Sequence, residues 1–105
     1  MKTLLFTTAL ATLISTIPAL AGSDLATSKK CMECHAVDKE VKGPSFKAIA
    51  KLYKGTDKAE ARMADKIRKG GAEHWGQNAM PSAEARGVKI SDAEAKKLAQ
   101  WVLTH

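Results

Sequence analysis

Cys31-Met32-Glu33-Cys34-His35 is the stretch from which the rest of the chain is read. Two thiols separated by two residues, with an imidazole directly after the second, form the attachment pattern for c-type haem. The spacing has a chemical reason. A bent chain with two intervening residues brings both sulfurs to one edge of a porphyrin, where they add across two vinyl groups as thioethers. His35 then lies under the iron and offers its imidazole as the proximal ligand. Three other readings compete. A redox-active Cys-x-x-Cys needs a strand before its helix, and the residues ahead of Cys31 read as helix. Zinc needs further donors, and the histidines at 35, 74 and 105 include no pair with finger spacing. A disulfide closing so short a loop stabilises little.

Outward from the motif, the N-terminal side reads as a removable segment. Met1-Lys2 is a short positive start, Thr3 to Ile17 carries no charge, and Pro18 leads to Ala19-Leu20-Ala21, small residues suited to signal cleavage. The apolar run is short for a membrane span. Residues 1–21 are therefore expected to be a signal peptide and residues 22–105 one domain. That domain holds sixteen Lys plus Arg against eleven acids, a net charge of +5. Such a length excludes a multi-domain enzyme, and two cysteines are too few for a disulfide scaffold. Recurring apolar periods exclude extended disorder. Phe46, Tyr53, Trp75 and Trp101 are its only aromatic residues beyond the histidines. A chain this small builds a thin core unless a crosslink or cofactor completes it.

The periodicity predicts four helices and no strand. The first is capped by Ser23 or Asp24 and runs to about Cys34, with Leu25, Ser28 and Met32 along one side. Pro44 suits the first turn of the second and Gly55 its end. Asp57 and Glu60 read as a capping box for the third, which carries Met63 and Ile67 and stops at Gly70-Gly71. Ser91 and Glu94 read as the same box for the last, with Ala95, Leu98, Ala99 and Val102 as its apolar stripe. Gly70 to Ile90 reads as a long loop, and one of that length inside a compact domain is usually functional. His105 reads as a frayed end.

A haem iron has a second axial position. Met80, in the long loop and followed by Pro81, is the candidate. Met63, four residues from Ile67 on a helix face, reads as core. His74 is the rival, since imidazole also binds haem iron. A thioether favours ferrous iron and raises the potential. Two protein ligands describe an electron carrier rather than an enzyme. A sixth ligand that is easily displaced describes instead a haem sensor or a catalytic haem protein.

The chain resembles class I cytochromes c of the small bacterial cytochrome c-551 type. The resemblance covers Gly22 to His105 and rests on the Cys31–His35 motif, Gly43-Pro44, Asp65-Lys66-Ile67-Arg68-Lys69-Gly70, Trp75-Gly76, Met80-Pro81, and Ser91-Asp92-Ala93-Glu94 leading to Trp101-Val102-Leu103. It implies an all-α fold of four main helices wrapped around one covalently bound haem c, with the first and last helices crossing. It implies Cys31 and Cys34 as thioether attachments and His35 and Met80 as axial ligands. The Pro44 carbonyl would accept the other imidazole N–H of His35. Trp75 matches a tryptophan that bonds a haem propionate, and Lys66 a basic residue near it. Around Met80 the chain reads Ala79-Met80-Pro81-Ser82-Ala83 where relatives often read Pro-Met-Pro-Pro-Asn, so a less rigid ligand loop is expected.

By the same resemblance the protein is expected in the periplasm, as a monomer without a membrane span, in the respiratory chain. Its donor would be a quinol-oxidising complex, and its acceptor a nitrite reductase, a terminal oxidase or a peroxidase. Lysines at 29, 30, 39, 42, 47, 51, 54 and 58 supply a basic surface that can steer transient encounter with acidic redox proteins. Nucleic acid is not the expected partner of an exported haem protein, despite a pI near 9.5.

Overall fold

A computed structural model describes residues 9–12, 18–72 and 79–105. Helix α1 spans Pro18–Ser28, a 3-10 turn spans Cys31–Glu33, and α2, α3 and α4 span Phe46–Tyr53, Ala59–Lys69 and Asp92–Leu103. No strand occurs among the described residues, only the isolated bridges His35 with Glu40 and Gly71 with Met80. Helix α4 is the centre of the packing and touches α1, α2 and α3. It buries Ala95, Leu98, Ala99, Trp101 and Val102.

Helix α1 starts earlier and stops earlier than its sequence pattern predicts. Pro18 presets the backbone of a first turn, and Ala-Leu-Ala continues it, so Ser23 and Asp24 are interior and the helix runs through position 21. Its end comes at Ser28 because Lys30 adopts a left-handed conformation, with φ 63. The chain then tightens, and the amides of Cys34 and His35 both donate to the Cys31 carbonyl, at 3.2 and 3.0 Å. Where α1 crosses α4, a Cβ on Gly22 would fall inside the Trp101 side chain, so the two helices meet closely.

Pro44 lies outside α2 rather than in its first turn. Ser45 is the cap, and its Oγ accepts from the Ala48 amide at 3.1 Å. The Pro44 carbonyl therefore has no intrahelical donor and is left for another partner. The Asp57–Glu60 capping box does not form. Lys58, also left-handed, is the cap of α3 and makes no side-chain bond, so Asp57 lies out of register. Met63 and Ile67 are buried, as their spacing predicts, and Gly70 ends the helix.

The Ser91–Glu94 box forms in full. The Glu94 amide donates to Ser91 Oγ at 3.1 Å, and the Ser91 amide to Glu94 Oε1 at 3.0 Å. Lys29 reaches Glu94 at 3.2 Å and the Lys89 carbonyl at 2.6 Å, tying the end of α1 to the start of α4. Two further expectations are corrected. The stretch from Gly70 to Ile90 is not without structure: it holds the Gly71–Met80 bridge and a compact turn, and Ala83 and Ile90 enter the core. His105 is not frayed, since its ring packs edge-on against Trp101 at 4.8 Å and stacks over Phe46 at 6.1 Å.

Candidate functional site

Beside α4 the elements leave an open cavity of about 430 Å³, lined largely by apolar side chains that include Phe46, Ile49, Met63, Ile67 and Leu98. Apolar side chains around so large a space give up contacts with one another unless an apolar group fills it. The fold is shaped for an occupant.

Four groups able to bond that occupant line the wall: Cys31, Cys34, His35 and Met80. The 3-10 turn presents Cys31 and Cys34, both as half-buried free thiols. Burial pushes the Cys31 thiol up, and the nearby Arg86 charge only partly opposes this. A redox-active Cys-x-x-Cys shows the opposite, a lowered thiol. His35 is buried, 9% exposed, with its ring stacked on Phe46 at a centroid distance of 5.4 Å. Its Nδ1 donates to the Pro44 carbonyl at 2.7 Å. A carbonyl only accepts, so Nδ1 carries a proton and Nε2 is the nitrogen left for another partner. Gly43 lies flush against the same ring, and a Cβ there would stand 2.6 Å from His35 Cε1.

Met80 is half-buried and comes from the other side of the sequence. Its backbone is paired with Gly71, with the two N–H···O bonds at 2.9 and 3.0 Å. Gly70, at φ +71, packs so tightly that a Cβ would collide with the Met80 carbonyl. Lys66 also lines the cavity, its Nζ beside Gly71. Met63 belongs both to the core and to the cavity wall. Trp75 and His74 lie outside the described residues.

The structure thus brings Cys31, Cys34, His35, Pro44, Lys66 and Met80 to one place. The donor set suits haem: two thiols for covalent attachment, an imidazole anchored at Nδ1 and a soft thioether, in an apolar setting. Two contributors escaped the sequence reading. Gly43 enters the sequence reading only as part of the Gly43-Pro44 motif, because its contact with the His35 ring is a matter of tertiary approach. Arg86 looks like any solvated loop cation, although its side chain bonds backbone carbonyls on two other segments.

Helices that leave their common centre to a flat apolar cofactor define the class, a small all-helical haem protein with the class I cytochrome c fold. The chain belongs to the cytochrome c family, whose model matches residues 19–105. It is 44% identical over 84 residues to cytochrome c-551 of Azotobacter vinelandii, which covers 80% of this chain and 96% of that relative. It is 44% identical over 86 residues to cytochrome c-552 of Nitrosomonas europaea, covering 82% and 80%. The crystal structure of wild-type Nitrosomonas europaea cytochrome c552 superposes with a TM-score of 0.71 over 78% of this chain and 96% of that one. Proteins of this family carry one covalently bound haem c, and the paired cysteines here are its attachment pattern.

Proposed function

We propose that the chain is an exported monohaem electron carrier that accepts one electron from one redox protein and delivers it to another. In this reading Cys31 and Cys34 hold the haem as thioethers, and His35 Nε2 and the Met80 sulfur are the axial ligands. The observation that carries it is the 2.7 Å bond from His35 Nδ1 to Pro44, on the wall of a cavity that Met80 also lines. When bound, the haem supplies a one-electron ferric/ferrous couple.

The chain's own residues shape that couple. Pro44 keeps the proton on Nδ1 and holds the ring in one orientation, which raises ligand basicity. The apolar wall lowers the local dielectric, and the thioether favours the reduced state. His35 and Met80 would together hold the iron when haem is bound and leave no place on it for a substrate, so the reading is a carrier and not an enzyme. By resemblance, Lys66, which lines the cavity, and Trp75 would bond the haem propionates when the group is bound.

Removal of residues 1–21 would deliver the domain to the periplasm, where c-type attachment takes place. No helix among the described residues is long and apolar enough to cross a membrane. The partners are a quinol-oxidising complex as donor and a nitrite reductase, terminal oxidase or peroxidase as acceptor, met transiently through the lysine-rich surface. The test is the visible spectrum of the haem-loaded protein. Low-spin spectra are expected, with the weak red band of thioether-ligated ferric haem, and Met80→Ala should abolish that band. A high-spin ferric spectrum in the wild type would instead favour a sensor or catalytic haem protein.

A further inference from the structure

Arg86 stands six residues beyond Met80, in the turn between the Met80 segment and α4. Its guanidinium is spent on two carbonyls from different elements. Nη1 donates to Pro81 at 3.2 Å, and Nη2 donates to Ile67 at 3.1 Å. Ile67 lies in the last turn of α3, where carbonyls lack an intrahelical donor and the helix dipole is negative. Pro81 follows Met80 directly. One planar, permanently charged fork therefore joins the end of α3 to the peptide beside Met80, a bridging geometry that a single ammonium does not reproduce.

The turn that presents Arg86 is itself held in place. Ala83 is in the core, and its amide donates to the Arg68 carbonyl at 2.9 Å, closing a second open carbonyl of α3. Ser82 Oγ accepts from the Ala85 amide at 3.1 Å, and the Ser82 carbonyl accepts from the Arg86 amide at 3.1 Å. The Val88 amide returns to the Ala83 carbonyl at 3.0 Å. Arg86 Nε is buried without a hydrogen-bond partner among the described residues, a cost that a freely solvated arginine would avoid. Its head group is committed to the two carbonyls.

We propose that Arg86 is a positioning residue that straps the Met80–Pro81 segment to the end of α3 and so governs how firmly Met80 is presented to the cavity. The effect on the iron rests on Met80 being the axial ligand; the strap itself does not. The haem-loaded full chain is compared with its Arg86→Gln and Arg86→Lys variants by amide hydrogen exchange and by the temperature at which the red thioether band is lost. Both variants should exchange the Gly71, Met80 and Ala83 amides about tenfold faster, as expected for loss of a charge-assisted hydrogen bond. Both should lose the red band at a lower temperature than the wild type. The Leu98 and Ala99 amides of α4 should be unchanged. Unaltered exchange at Met80 in both variants overturns the strap. Wild-type behaviour in Arg86→Lys alone also overturns it, since charge without the fork would then suffice. A wild type that lacks the red band, while Arg86→Gln still speeds exchange, sinks the ligand assignment and leaves the strap standing.

Discussion

His35 shows how much chemistry one hydrogen bond settles. The Pro44 carbonyl accepts the hydrogen bond from Nδ1, and that bond sets the orientation of the ring and leaves Nε2 for another partner. The ring has little room to move, because Gly43 is pressed against it. Gly43→Ala should push a methyl into Cε1, lengthen or break the bond to Pro44, and cost ~1–3 kcal/mol as overpacking does. Chemical denaturation of the haem-loaded protein checks the stability, and a shifted reduction potential should accompany it. The Cys31–His35 motif was legible because its chemistry is local: thiols and imidazole act at a spacing written in the chain. The role of Gly43 was not, because it depends on how close a residue eight positions away comes to lie. Ala83 is a similar case. In sequence it stands where relatives often place an asparagine, yet here it is a core residue, 7% exposed. An amide at that position would have to be buried.

At the scale of elements, two capping boxes look alike in sequence and only one forms. Ser91 and Glu94 bond reciprocally, and Lys29 adds a cation to the same carboxylate. Asp57 and Glu60 do not, because the left-handed turn at Lys58 moves the cap by one residue. Ser91→Ala should therefore destabilise the protein by about 1 kcal/mol in thermal or chemical unfolding, whereas Asp57→Ala removes no cap bond. The Glu94 carboxyl is held below the usual carboxylate range, chiefly by the Ser91 amide and then by Lys29. A carboxyl lowered in the folded state stabilises above its unfolded value, ~4.3. That contribution is lost as pH falls through the folded value. The stability difference between wild type and Glu94→Gln should accordingly shrink on acidification. Helix α1 makes the same point about element boundaries. Its periodicity predicts a helix through the cysteines, but the left-handed Lys30 breaks it and frees Cys31 to Cys34 to form a tight turn.

For the whole molecule, the decisive feature is the hollow centre. A domain this small with a cavity of about 430 Å³ among its helices is expected to depend on the group that fills it. The full chain carrying Cys31→Ala and Cys34→Ala, made without haem, should lose its cooperative thermal transition and retain only partial helicity by circular dichroism. A sharp, native-like transition in that variant would show the shell to be self-sufficient. The amino-acid sequence by itself determined the helical class, the Cys31–His35 attachment pattern and the stripe of α4, because each rests on residue chemistry or on a period of a few residues. It also marked Met80 as the odd apolar residue in a polar loop. Only the tertiary structure decided that Pro44 stands outside its helix with a free carbonyl, that His105 packs on Phe46 and Trp101, and that Arg86 bonds two segments at once. Those contacts join residues whose separation along the chain carries no signal, and they form only when the elements close around a common centre.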